Sequence, residues 1–294
     1  MENIRTLSKA YIKEITHKLI TERNDTIAPD FKLDEFQQKL IDSDSKFIRV
    51  IAPAGSGKTR TLLAKAVEEL KSGEKAKILC LTFTNAAVNE FNNQAEKLGE
   101  SYRNRMDVST LNSFGLALLK KVNPDLRIVA PNKSRIGTVY YHIKILMIGN
   151  NNIKRVNNDT YPTILEFTDT TKALGFDHEL DENEANDQFD HIDSLGFNVL
   201  IENKLNDIGI EGNTKDNFLN IWFPFWSKLM QKLWDSNLIT IEDQKYWALN
   251  QLTNNKNLID SLKNRNYTHI LVDEFQDINL LDLFLIMHIA IIAN

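Results

Sequence analysis

A glycine-rich segment at residues 52–59, Ala-Pro-Ala-Gly-Ser-Gly-Lys-Thr, constrains the fold more than any other part of the sequence. It follows a short apolar, β-branched run, Phe47–Ile51, and it precedes residues 61–67, whose apolar side chains have helical spacing. A strand, a tight glycine turn and a helix in this order predict one unit of a parallel α/β sheet. Predicted strands at 77–83 and 267–272, with a helix at 85–98 between them, continue that architecture.

The same segment predicts a phosphate-binding loop, a Walker A motif in which Ala52 replaces the first glycine. Glycines let the backbone approach an anion and point several N–H groups at it, while the following helix offers the positive end of its dipole. Lys58 is placed to reach the outer phosphates of a nucleoside triphosphate, and the Thr59 hydroxyl suits a Mg²⁺ ligand. The predicted nucleotide-binding residues of this segment are Ala54, Gly55, Ser56, Gly57, Lys58, Thr59 and Arg60.

Two adjacent acidic residues, Asp273 and Glu274, end the predicted strand at 267–272, as in a Walker B element. Phosphoryl transfer needs one carboxylate beside the metal, the role predicted for Asp273, and a second to orient or deprotonate the attacking water, the role predicted for Glu274. On its own, the pair would be read as a solvated strand end. The upstream glycine loop favours the catalytic interpretation.

Composition narrows the setting of this site. The 294 residues are 42% hydrophobic and 26% charged, as in a soluble globular protein, and the net charge of −5 restricts any DNA contact to a local groove. Cys80 is the single cysteine, which excludes an internal disulfide framework and fits a reducing, cytoplasmic setting. The apolar run at 280–292 contains Asp282 and His288 and is shorter than the ~20 residues of a membrane span, so we predict a buried helix and no membrane partner.

Four segments are predicted along the chain: an N-terminal helical extension (1–30), the first part of the nucleotide-binding domain (31–122), a mostly helical insertion (123–235) and the second part of that domain (236–294). Within the insertion, 139–147 has a helical pattern and 177–190 is acidic and loop-like. Aromatic residues between 222 and 234 recur at roughly helical spacing, which favours core packing over a base-stacking platform.

These motifs together resemble the UvrD/Rep/PcrA group of superfamily 1 DNA helicases. Residues 273–277 have that group's Asp-Glu-x-Gln-Asp form of Walker B, and the P-loop ends in Gly-Ser-Gly-Lys-Thr-Arg. In the same order along the chain, Leu33-Asp34-Glu35-Phe36-Gln37 resembles the Q-motif, 78–85 resembles motif Ia, and 108–114 resembles motif Ib. Residues 238–243 resemble the segment before motif II.

The resemblance implies a RecA-like fold with a helical insertion in the position of subdomain 1B, with ATP and Mg²⁺ as cofactors. It implies that ATP hydrolysis drives 3′-to-5′ translocation on single-stranded DNA. Gln37 would then read the adenine edge, Glu274 would be the general base, and Gln276 and Arg60 would couple the γ-phosphate to motion. The implied DNA-contacting residues are Thr82, Phe83, Asn85, Thr110 and Asn112, with Phe83 stacking on a base.

The chain departs from the family pattern on the DNA side, where Leu111, Asn112 and Ala86 replace an aromatic residue, a histidine and a lysine. It also stops one helix after motif II, before motif III, the second RecA-like domain and the arginine fingers. We therefore expect an incomplete sheet, with a gap between the P-loop strand and the Walker B strand. A second RecA-like domain, from a longer chain or a partner protein, would fill the role of the absent part.

From this we expect the chain alone to be at best a weak ATPase without unwinding activity, because an arginine finger contributes ~10³–10⁵ in rate in related systems. An alternative is a non-catalytic nucleotide- or DNA-binding remnant or an interaction module, against which the intact Lys58, Thr59, Asp273 and Glu274 argue. A P-loop GTPase or kinase is disfavoured, because the guanine-reading Asn-Lys-x-Asp motif is absent, although Asn132-Lys133 begins like one.

Overall fold

The computed structural model describes residues 35, 39–43, 45, 47–52, 56–73, 75–97, 103–129, 136–148 and 160–293. The predicted N-terminal extension lies outside these residues. In chain order the elements are α1 (Lys58–Ser72), β1 (Ile78–Thr82), α2 (Asn85–Lys97), β2 (Met106–Thr110), α3 (Leu111–Val122), β3 (Arg127–Val129), α4 (Ile136–Ile148), α5 (Thr160–Ala173), α6 (Glu182–Ser194), α7 (Asn198–Asp207), α8 (Thr214–Asn217), a π-helical turn (Phe218–Trp222), α9 (Phe223–Asp235), β4 (Leu238–Thr240), α10 (Asp243–Asn254), α11 (Lys256–Lys263), β5 (His269–Val272), a 3₁₀ turn (Phe275–Asp277) and α12 (Leu280–Ala293).

The chain divides into two compact units. The sheet unit takes its described residues from Met1–Phe114, Leu252–Ile278 and Ile286–Asn294, and the helical unit comprises Gly115–Gln251 and Asn279–Leu285. Compact units and evolutionary domains need not share boundaries, so the domain boundaries predicted from sequence, at 122 and 235, stay a prediction.

The sheet unit is built on a parallel sheet of three described strands in the order β2-β1-β5. In the register, Cys80 on β1 lies opposite Val108 on β2 and Leu271 on β5. All five residues of β1 are buried, as expected for a strand that pairs on both sides and is covered on both faces. The predicted parallel α/β sheet and its strands at 77–83 and 267–272 are confirmed.

The predicted strand Phe47–Ile51 is wrong: the segment is extended but is not a strand, and Ile48, Val50 and Ile51 are exposed. Apolar, β-branched composition favours a buried strand, yet a strand forms only where a neighbour accepts and donates its backbone hydrogen bonds. In the described sheet β5 is an end strand, and no strand lies beside it to pair with 47–51. The incomplete sheet expected from the motif order is therefore what these residues show.

The helical unit confirms the prediction of a mostly helical insertion, and α4 confirms the helix predicted at 139–147. A short parallel pair, β3–β4, accompanies the helices. The loop predicted at 177–190 is wrong, because most of it belongs to α6. Asp181 accepts from the Glu184 backbone N–H while the Glu184 side chain accepts from Asp181 N–H, and this capping box starts the helix despite its acidic composition.

Aromatic side chains form the core of the helical unit, as the spacing predicted. Trp222 is fully buried and stacks on Phe167 with a 3.8 Å centroid distance, and its indole N–H donates to the Thr171 hydroxyl at 2.8 Å. Trp234 stacks on Trp247 at 4.3 Å. These contacts commit the aromatic run to packing.

The predicted buried helix at the end of the chain is α12, where Leu285 and Ile289 are fully buried and Asp282 and His288 are also buried. Within the described part of the chain, no helix has both the length and the apolar character needed to cross a membrane.

Candidate functional site

The N-terminus of α1 has the geometry of an anion site. Gly57 precedes the helix with φ 80° and ψ 25°, a left-handed conformation that glycine adopts without steric cost. No side chain caps the first turn, which also contains no acidic residue. The N–H groups of that turn and the positive end of the helix dipole are therefore available to a phosphate.

Ser56 adds an unsatisfied polar group beside this helix end. Its Oγ atom is buried, and it has no hydrogen-bond partner among the described residues. Buried hydroxyl groups are nearly always paired, so an unpaired one next to free helix N–H groups fits a bound phosphate. Of the other predicted nucleotide-binding residues, Gln37, Ala54 and Gly55 lie outside the described residues.

Lys58 lies between the two ends of the site. Its Nζ atom donates to the Ala52 carbonyl oxygen at 3.3 Å and lies 3.8 Å from the Glu274 Oε2 atom, with 23% of the side chain exposed. The ammonium group is thus held over the loop by weak contacts that a phosphate can replace. Arg60, which follows Thr59 in the first turn of α1, is exposed.

Thr59 and Asp273 form the contact that joins the two motifs. The Thr59 hydroxyl donates to the Asp273 Oδ2 atom at 2.9 Å across 214 residues of sequence. Asp273 is only 4% exposed, and its backbone N–H donates to the Leu81 carbonyl at 2.9 Å, which extends the β5 pairing and fixes the carboxylate. A hydroxyl and a carboxylate are the oxygen ligands that Mg²⁺ accepts alongside water and phosphate, so the pair fits the predicted metal.

Glu274 and Gln276 follow on the 3₁₀ turn. Glu274 has φ 51° and ψ 42°, and 41% of its side chain is exposed. The Gln276 Nε2 atom donates to the Glu274 Oε2 atom, the oxygen that also faces Lys58. The structure therefore brings together two groups of residues that lie far apart in the sequence: Lys58 and Thr59, and Asp273, Glu274 and Gln276.

The predicted DNA-contacting residues lie at the same edge of the sheet. Thr82 pairs with Thr110 at the carboxyl ends of β1 and β2, and the carboxyl end of β5 leads to Asp273. Because parallel strands end at one edge, the Ia-like segment, the Ib-like segment and the Walker B end are neighbours there. Phe83 is half-buried just after β1, and Asn85 is exposed at the start of α2.

Two of these residues already have partners within the protein. The buried Thr82 hydroxyl donates to the Thr84 carbonyl at 3.1 Å, and the Thr110 hydroxyl donates to Ser113 Oγ at 2.8 Å while accepting from Ser113 N–H at 3.1 Å. Asn112 is half-buried, and its Oδ1 atom is buried without a partner among the described residues. Asn112 is thus the polar group on this side with unused bonding capacity.

Sequence reasoning missed the caps that shape this edge. The Thr84 hydroxyl accepts from Ala87 N–H at 3.1 Å at the start of α2, as Thr110 does at the start of α3. The available indication was a threonine immediately before each helical pattern, a common N-cap residue.

A parallel α/β sheet, a glycine-capped helix N-terminus and a paired threonine and aspartate define a P-loop nucleotide-binding protein. Residues 33–291 match the UvrD/REP helicase N-terminal domain family. The chain belongs to that family.

Individual relatives agree with this assignment. The chain is 25% identical over 273 residues to the ATP-dependent DNA helicase srs2 of Schizosaccharomyces pombe, a match that covers 88% of this chain and 28% of srs2. It is 25% identical over 263 residues to a probable DNA helicase II homolog of Mycoplasma capricolum, covering 85% of this chain and 31% of that protein. A shorter match, 33% over 115 residues, links it to an ATP-dependent helicase/nuclease of Ligilactobacillus salivarius and covers 32% of this chain and 9% of the relative. The chain therefore spans less than a third of the length of these relatives.

Proposed function

We propose that this chain is the ATP-binding portion of a superfamily 1 DNA helicase, in which ATP hydrolysis drives 3′-to-5′ translocation on single-stranded DNA. The observation that carries the proposal is the contact between Thr59 and Asp273, at the N-terminus of α1 and the end of β5. It assembles a phosphate site, a metal-ligand pair and a candidate base at one edge of a sheet.

In this proposal the P-loop binds the triphosphate. Ser56 Oγ and the N–H groups at the start of α1 donate to phosphate oxygens, and Lys58 exchanges its contacts with Ala52 and Glu274 for the β- and γ-phosphates. Gln37, Ala54 and Gly55 complete nucleotide binding by family resemblance. Arg60 and Gln276 communicate the presence of the γ-phosphate.

Thr59 and Asp273 would hold Mg²⁺, directly or through water, and the bound ion would neutralise phosphate charge during transfer. Glu274 orients the attacking water and accepts its proton. Since Asp273 is buried and fixed while Glu274 is partly exposed, the two adjacent carboxylates suit these different roles.

Single-stranded DNA would cross the carboxyl edge of the same sheet. Phe83 supplies a stacking surface, and Asn85 and Asn112 supply polar groups to the backbone. Thr82 and Thr110 would support this surface, because their hydroxyl groups are engaged in the turns that present it. The polarity of translocation rests on the family resemblance, and the cytoplasm stays the predicted location.

The names of the relatives support a DNA-dependent ATPase, and the chain covers less than a third of srs2. We propose that a second RecA-like domain, in a longer chain or a partner protein, supplies the arginine fingers. The 294 residues alone would then hydrolyse ATP weakly and would not unwind DNA.

Steady-state hydrolysis of ATP by the purified chain, with and without a single-stranded oligonucleotide, tests this function. We expect slow hydrolysis that DNA stimulates, that Glu274→Gln abolishes, and that does not separate a 3′-tailed duplex. Hydrolysis that survives Glu274→Gln would contradict the assigned base. Robust unwinding by the chain alone would contradict the need for a second domain.

The non-catalytic alternative has one observation in its favour: the exposed, unpaired segment Phe47–Ile51 leaves the P-loop without a flanking strand in the described sheet. A chain that binds ATP with Mg²⁺ dependence but shows no hydrolysis in any condition, including with DNA, would favour that alternative.

A further inference from the structure

The Glu274 side chain is held by two donors on a single oxygen. Gln276 Nε2 donates to Oε2, and Lys58 Nζ lies 3.8 Å from the same atom. The other oxygen, Oε1, accepts no hydrogen bond from the described residues. The carboxylate is therefore held from one side and open on the other.

The backbone around Glu274 presents the two side chains to each other. Glu274 is one of three described non-glycine residues with positive φ, and its carbonyl accepts from the Asp277 N–H at 3.0 Å to close the 3₁₀ turn. A glutamate persists in a left-handed conformation only where the surrounding structure holds it, and such residues concentrate at functional sites. The turn brings residue 276 back beside residue 274.

The two donors differ in what nucleotide binding does to them. Lys58 is a mobile cation whose phosphate partners carry more negative charge than one carboxylate, so triphosphate binding draws it away from Glu274. Gln276 is neutral, lies outside the P-loop, and has no such competing partner. Without it, Glu274 would face the phosphates with no donor and would be repelled by their charge.

We propose that Gln276 is the positioning residue of Glu274, an inference that rests on the function proposed above. Its amide holds Oε2 after Lys58 has moved to the phosphates, so that Oε1 stays directed at the attacking water. In the step it serves, Oε1 takes a proton from water, the water oxygen bonds to the γ-phosphorus, and the bond from that phosphorus to the β–γ bridging oxygen breaks to leave ADP. Gln276 itself exchanges no proton.

The side-chain amide protons of Gln276 report the proposed bond without any turnover. They are assigned in the ¹⁵N–¹H spectrum by their loss in Gln276→Met, a variant of similar length without a donor. We expect them to move upfield in Glu274→Ala and to keep their position in Lys58→Ala and on addition of a non-hydrolysable ATP analogue with Mg²⁺. Unchanged amide shifts in Glu274→Ala would overturn the proposal.

Hydrolysis provides the second measurement. Gln276→Met and Gln276→Glu should lower kcat by about tenfold or more, while KM and the affinity for the ATP analogue change less than about twofold. In a Glu274→Gln background, Gln276→Met should have no further effect, because the residues act as a unit. A full, additive loss in that background would show that Gln276 acts on something else.

Gln231→Met is the matched control, since Gln231 also donates its amide to an exposed carboxylate, that of Asp235, at 2.8 Å in the helical unit. It should leave kcat unchanged. Failure of the proposed function gives a different pattern: wild-type chain that binds no nucleotide, with a Gln276 amide that still responds to Glu274→Ala.

Discussion

Gly57 shows how one residue sets the geometry of the phosphate site. Its backbone at φ 80° turns the chain into α1 and leaves the first N–H groups of that helix uncapped. A side chain in the left-handed region costs roughly 1–2 kcal/mol, because Cβ comes too close to the backbone. The loop and the helix therefore depend on this position being glycine.

Gly57→Ala should lower the free energy of unfolding by about 1 kcal/mol and weaken nucleotide binding. Gly73→Ala is the control at the other end of α1, where φ is −147° and an added Cβ would lie 3.8 Å from the Ala76 Cβ, an ordinary contact. Urea unfolding and a nucleotide titration of both variants measure this. Equal behaviour of the two variants would show that the conformation of Gly57 is unimportant.

Cys80 carries a second expectation at the residue scale. Burial raises the pKa of its thiol to about 12, and the nearby carboxylates of Asp273 and Asp107 contribute to that rise. Only the thiolate reacts with disulfide reagents, so native Cys80 should be unreactive at about pH 8 and react fully in urea. Ellman's reagent measures both. Stoichiometric labelling of the native chain would show that β1 opens readily.

Among the elements, α5 and α10 are joined by a buried ion pair. Lys172 Nζ donates to Asp243 Oδ1, both side chains are buried, and Asp169 Oδ1 lies 2.7 Å from the same nitrogen. The other oxygen of Asp243 accepts from Thr240 N–H at 2.7 Å, so the aspartate also starts α10. Removing one charge leaves its partner buried and unpaired, which is more costly than removing both.

Lys172→Met should therefore lower the free energy of unfolding by about 3–5 kcal/mol, and Lys172→Met with Asp243→Asn should lose less than the two single changes combined. Lys204→Met is the control, because its partner Glu166 is largely exposed and such pairs contribute about 0–1 kcal/mol. Urea unfolding of all variants provides the comparison. Additive losses would mean that the two charges do not interact.

The same pair predicts a dependence on alkaline pH. Burial alone would lower the pKa of Lys172, but the carboxylates of Asp243 and Asp169 outweigh it and raise that pKa from 10.5 to about 12. A cation with a raised pKa stabilises the folded state fully below the unfolded value and loses that effect as pH rises through the folded value. The stability difference between wild type and Lys172→Met should thus narrow between pH 10.5 and about 12. A constant difference across that range would contradict the pairing.

Across the whole molecule, the sheet decides where the chain is well protected. β1 pairs on both sides, whereas β5 is an end strand of the described sheet and 47–51 is not a strand. We expect the amides of Ile78–Thr82 to exchange with deuterium slowest, and those of 48–51 roughly a hundredfold faster or more. Hydrogen exchange read by mass spectrometry measures this order. Strong protection of 48–51 would show that the segment has a partner strand.

Much of this architecture was predictable because its determinants are local. Short apolar runs bounded by turn residues specify β1, β5 and α1, and the Walker A and Walker B patterns identify Lys58, Thr59, Asp273 and Glu274. The misplaced strand at 47–51 has the same local character, but its formation depends on a neighbour that local sequence does not contain. The pairing of Lys172 with Asp243 depends on the fold in the same way, since 71 residues separate the two.

ATP binding with Mg²⁺ at the N-terminus of α1, through Lys58 and the Thr59–Asp273 pair, is the central claim. A calorimetric titration of the purified chain with an ATP analogue, with and without Mg²⁺, tests it directly, with Lys58→Ala compared against Lys71→Ala, an exposed lysine of the same helix. We predict Mg²⁺-dependent binding that Lys58→Ala weakens by about tenfold or more and that Lys71→Ala leaves unchanged. Equal affinity of wild type and Lys58→Ala would contradict the claim.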